Sequence, residues 1–126
     1  MPFDWNEYLV LARQLAAGND ASKRSAISRA YYFAFNIAFA RAEATAGTFP
    51  GGETSHKWCW DRYDRTPDPN CRRLGIEGTR MKRLRVKADY KATDIPRLDD
   101  EVRRVLLEAQ QFRARLDALD PRYPLP

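Results

Sequence analysis

One histidine, two cysteines and no long apolar run are the most conspicuous shortages of this 126-residue chain, and each removes a class of function. With His56 alone, no Ser/His/Asp arrangement has a readable spacing. Cys59 and Cys71 are too few to staple a disulfide scaffold. Together with His56 and Asp61 they would make four zinc ligands, but His-x2-Cys-x11-Cys lacks the paired Cys-x2-Cys signature, so two buried free thiols are expected and no metal or cofactor. The longest apolar stretch, Ala30–Phe35, stops at Asn36, which excludes a membrane span. Met1–Asp4 has no basic segment leading into an apolar run, so no signal peptide is expected and a reducing cytoplasm is the expected setting. No glycine-rich loop ends in Gly-Lys-Ser/Thr, so Gly47–Gly52 reads as a turn and not a phosphate cradle.

What the chain does have is 44% hydrophobic and 31% charged residues, enough apolar content for one packed domain. The periodicity is helical throughout. Trp5, Tyr8, Leu9, Ala12, Leu15 and Ala16 mark one face of a first helix, with Asp4 and Glu7 as a capping box and Gly18 as its stop. A second helix runs from Asn19–Asp20 to about Ala46, ended by Gly47 and Pro50. Its middle, Ala26–Ala40, is apolar on nearly every side, which predicts a central helix whose spare face buries against a second subunit. Gly47–Gly78 has no sustained period and reads as a long ordered loop with a short helix near Ser55–Tyr63. A third helix is expected over Ile76–Lys91, with Met81, Leu84 and Ala88 inward. The fourth begins after Asp94 and carries Val102, Val105, Leu106, Ala109, Phe112, Leu116 and Leu119 on one stripe. The prediction is an all-α, antiparallel four-helix bundle over residues 1–120, with an extended proline-rich tail over 121–126.

The formal net charge is +5, and it is unevenly spread. From Lys57 to Lys91 eleven lysines and arginines meet five carboxylates, so the remainder of the chain is about neutral. Arg80, Lys82, Arg83, Arg85 and Lys87 crowd the third helix, a pattern that suits nucleic acid, an acidic partner or a solvated face. Trp58, Trp60 and Tyr63 beside them are placed either to stack on bases or to cover one end of the bundle. On the central helix Arg29, Tyr32 and Asn36 share one face. An arginine there needs a partner, and Asp89 is the expected one.

The string Arg24-Ser25-Ala26-Ile27-Ser28-Arg29-Ala30-Tyr31-Tyr32-Phe33-Ala34-Phe35-Asn36 resembles the signature of the HEPN family. Trp5, Tyr8-Leu9 and Ala12, the pair Ser55-His56, and Leu84 to Tyr90 fall where that family places similar residues. The resemblance implies a dimeric bundle with a shared polar cleft, often a toxin or defence ribonuclease paired with a nucleotidyltransferase. Active members carry Arg, four to six residues, then His. Here Gly51, Pro50 and Phe49 occupy the arginine positions before His56, Arg85 leads to Tyr90 instead of histidine, and Asn36 stands where relatives often have histidine. Tyrosine is a poor general base near neutral pH, so the expectation leans away from an enzyme. The expected function is a homodimeric module binding RNA or a nucleotide, or docking a nucleotidyltransferase, through Arg29, Tyr32, Asn36, Arg80, Arg83, Arg85, Asp89 and Tyr90. Arg85 and Tyr90 are the catalytic candidates if a divergent ribonuclease site exists, and a purely structural interaction module is the third reading.

Overall fold

A computed structural model describes residues 2–93 and 95–126 and shows five helices: α1 (Asn6–Leu15), α2 (Asp20–Ala46), α3 (Ser55–Arg65), α4 (Pro69–Tyr90) and α5 (Leu98–Ala118). Helices α1, α2, α4 and α5 form a bundle-like core, and α3 is inserted against α2 and α4. The segment read as mostly loop is therefore largely helical. Asp94, expected to precede the last helix, lies outside the described residues; α5 begins at Leu98, with Asp99, Asp100 and Glu101 in its first turn, where carboxylates suit the positive end of the helix dipole. At the other terminus Asp4 caps through the Asn6 N–H at 3.0 Å and not by a reciprocal box with Glu7.

Helix α4 starts seven residues earlier than the sequence pattern suggests, at Pro69 and not Ile76. Asp68 accepts the Cys71 N–H at 2.9 Å as N-cap, and Pro69 occupies the first turn, where its missing N–H costs nothing. Gly75 and Gly78, which looked like loop residues, are inside the helix because α3 packs on them. A Cβ at Gly78 would lie 2.3 Å from the Trp60 ring, and one at Gly75 would lie 2.2 Å from the Asp64 carboxylate. Gly47, with φ at 95°, ends α2 as anticipated.

Helix α2 touches each of the other four, which is why so many of its positions are apolar. Ala26, Ile27, Ala30, Tyr31, Phe33 and Ala34 are wholly buried. The chain itself covers this surface, and among the described residues α2 presents no exposed large hydrophobic side chain. Two arginines on α2 reach outward to the carboxyl-terminal ends of other helices. Arg24 donates to the carbonyls of Ala88 at 3.0 Å, Lys91 at 2.9 Å and Ala92 at 2.9 Å, closing α4. Arg41 donates to Leu116 at 3.2 Å, Leu119 at 3.3 Å, Asp120 at 2.8 Å and Tyr123 at 2.8 Å, closing α5. Residues 121–126 are non-helical and docked: Pro124 is buried and its carbonyl accepts from Thr45 Oγ1 at 2.6 Å. Glu77, buried among apolar neighbours, is paired with both Arg73 at 3.0 Å and Arg115 at 2.6 Å, as a buried carboxylate must be.

Candidate functional site

Three helices bring polar side chains together along one side of the domain. Ser28, Tyr31, Tyr32 and Phe35 follow the i, i+3, i+4, i+7 spacing of one α2 face. His56 and Trp60 are one turn apart on α3, and Lys82, Arg85 and Asp89 share a face of α4. Sequence spacing places no arginine before His56, but spacing along the chain says nothing of a residue that arrives on a different helix, and α4 brings Arg85 close enough for its charge to act on the imidazole.

His56 is held in one protonation state by its surroundings. Trp60 Nε1 donates to the Tyr31 hydroxyl at 3.1 Å, and that hydroxyl lies 2.5 Å from His56 Nδ1. Indole only donates, so the tyrosine oxygen accepts there, and the Tyr31–His56 hydrogen bond runs in the direction that the imidazole tautomer sets. His56 Nε2 has no protein partner among the described residues. Phe35 stacks on the ring with centroids 4.0 Å apart. Burial, reinforced by the charges of Lys82 and Arg85, pulls the His56 pKa down to about 4 from its ordinary 6.5. At neutral pH the residue is an uncharged hydrogen-bond donor. Burial also pushes the Tyr31 phenol up, so it stays protonated.

Arg85 is the centre of the positive charge. Its side chain is only 14% exposed, its guanidinium lies 5.0 Å from the Tyr32 ring centroid, and one nitrogen donates to the Tyr32 hydroxyl. Asp89 Oδ2 is 3.5 Å from Arg85 Nε, an ion pair whose geometry makes no hydrogen bond, so that buried Nε is left without a hydrogen-bond partner. The same carboxylate oxygen accepts from Ser28 Oγ at 3.3 Å.

The predicted residues separate into groups. Tyr32, Arg85 and Asp89 meet. Asp89 is not the partner of Arg29, however: the Arg29 guanidinium lies over the rings of Tyr8 at 5.0 Å and Tyr32 at 5.7 Å, because its position on α2 turns it toward α1. Asn36 donates to the Tyr32 carbonyl at 2.7 Å, a bond within its own helix. Arg80 and Arg83 line a cavity on the α5 side of α4 instead, and Tyr90 is 73% exposed. Trp58, Trp60 and Tyr63 are buried in the core, so they pack the α3 insertion and are not available to stack on bases. Among the described residues no group of three or more His, Cys, Asp or Glu side chains is placed to hold a metal, and burial raises the thiol pKa of both free cysteines, Cys59 and Cys71.

A guanidinium, an ammonium and a neutral imidazole around the partly exposed Tyr32 ring make a donor-rich, cationic surface. It is suited to a phosphate oxygen. Its two acceptors are engaged: His56 Nδ1 pairs with the Tyr31 hydroxyl and its basicity is suppressed by burial, and the Asp89 carboxylate lies against Arg85 and Ser28. No family model, curated protein or solved structure matches the chain.

Proposed function

We propose that this chain is a HEPN-like module that binds single-stranded RNA by its phosphates at the α2/α3/α4 surface without cutting it. The observation that carries this reading is the near-buried Arg85, with an unsatisfied Nε, on the same face of α4 as Lys82 and beside a histidine kept uncharged by burial and, secondarily, by those two cations. Phosphate contacts supply most of the affinity for RNA, and an adjoining tyrosine face such as Tyr32 adds stacking. Arg29, between Tyr8 and Tyr32, extends the cationic strip along α2. A dimer joined along the Arg29–Tyr32–Asn36 stripe would place two such strips side by side.

Fluorescence anisotropy with a labelled single-stranded RNA tests the proposal. Arg85→Gln is expected to weaken binding at least tenfold, and affinity is expected to fall steeply with added salt. Binding indifferent to salt and to Arg85→Gln would refute it. One observation favours a second reading, cleavage: Arg85 and a histidine, separated in sequence, do come together in space. RNA cut in a chelator-containing buffer, and cutting lost with His56→Gln, would replace the binding reading with that one.

A further inference from the structure

On the opposite side of α4 from Arg85, the chain leaves a cavity of about 350 Å³ between α4 and α5, with Ile95 and Pro96 of the connecting segment also in its lining. Its inner wall is apolar. Met81 and Val105 are almost wholly buried, Leu84 is half-buried and Ile95 is 9% exposed. Glu108 bridges the two helices, paired with Arg80 at 3.1 Å and Arg104 at 3.0 Å, so its charge is already compensated. From Glu108 toward the Ile95 end the situation changes. Arg83 and Lys87, one turn apart on the same edge of α4, line the cavity with no ion-pair partner among the described residues. The lining holds four cations against two carboxylates, Glu101 and Glu108.

We propose that this cavity binds a small organic anion: a compact apolar body against Leu84 and Pro96, over a floor closed by Met81, Ile95 and Val105, with a single phosphate or carboxylate held between Arg83 and Lys87. The volume lies at the small end of the range of roughly 300–1,000 Å³ for ligand pockets. An oxyanion there meets a planar guanidinium fork and an ammonium beside apolar walls, where charge–charge attraction is less screened than in open water. The site is separate from the RNA surface, because at about 100° per residue Arg83 and Lys87 are turned roughly half a circumference away from Arg85.

Titration calorimetry of the full chain with naphthyl phosphate and with naphthoate tests the proposal and distinguishes the two anion types. At least one of them is expected to bind once per chain, at least tenfold more tightly than naphthol or inorganic phosphate. Arg83→Gln combined with Lys87→Gln is expected to weaken that binding at least tenfold, while Arg13→Gln combined with Arg122→Gln, an equal loss of charge elsewhere, changes it less than twofold. Val105→Phe, which fills the cavity with apolar volume, is expected to abolish binding with the helical circular dichroism intact. Should that variant not fold, the two charge pairs decide the matter. Absence of binding at millimolar concentration, equal binding of naphthol, or binding that survives the Arg83/Lys87 change would overturn the proposal.

Discussion

Because His56 is the chain's single histidine, its ring protons report one titration without overlap, and the expected native pKa is about 4. In the unfolded chain the same ring titrates near 6.5. Between these values the unfolded ensemble takes up a proton that the native state refuses, so native stability from this group is complete above pH 6.5 and declines as pH falls toward 4. The full separation would correspond to about 3 kcal/mol. The ring is only half-buried and its Nε2 has no protein partner, so solvent screening reduces the expected loss to about 1–2 kcal/mol. Urea unfolding of the native chain and of His56→Gln between pH 4 and 7 isolates the effect, since the carboxylates titrate alike in both. The stability difference, native minus variant, should shrink by about that amount as the solution is acidified. Arg85→Gln should move the NMR-measured pKa upward by removing an opposing charge. A native pKa at or above 6.5 would refute the burial argument.

Two further substitutions probe the frame that holds this surface. Gly78→Ala gains about 1 kcal/mol of helix propensity but drives a methyl group to 2.3 Å from Trp60, an overpacking cost of about 1–3 kcal/mol, so a net loss of up to about 2 kcal/mol is expected by denaturation. In a Trp60→Leu background the same change should become neutral or stabilising, whereas Gly75→Ala, which meets a rotatable carboxylate but also the Asp64 main-chain nitrogen at 3.2 Å, should cost less than Gly78→Ala. Arg41→Met keeps the aliphatic stem and loses four carbonyl contacts. It should cost about 2–3 kcal/mol and expose residues 121–126 to limited proteolysis, while an unchanged digestion pattern would show that the tail holds on without it.

The helical character, the central place of α2 and the inward faces of α1 and α5 were legible because each depends on spacing within a single helix. The start of α4 was not, since Gly75 and Gly78 carry the same letters whether they break a helix or admit a neighbour's side chain. The candidate surface was half legible for a related reason. Tyr32, Arg85 and Asp89 could be nominated from the α2 and α4 patterns, but the pairing was misassigned: Asp89 meets Arg85 and Ser28, and Arg29 rests on tyrosine rings. The His56–Tyr31–Trp60 chain could not be read at all, because it depends on how an inserted helix is rotated about its own axis. A lone histidine downstream of a tyrosine pair was the available signal, and it becomes informative only once α3 is seated.

Arg24 and Arg41 bind only main-chain oxygens, and this gives the sequence an uneven tolerance to change. Every residue type has a carbonyl, so the positions that supply these acceptors can drift in side chain without loosening the grip. The two arginines have no such latitude, for lysine lacks the fork that reaches several oxygens at once. Among divergent versions of this domain, the ends of α4 and α5 should therefore vary freely while two cations on the central helix stay fixed. Those cations would remain for reasons of architecture, and neither would contribute to the charge available for a ligand.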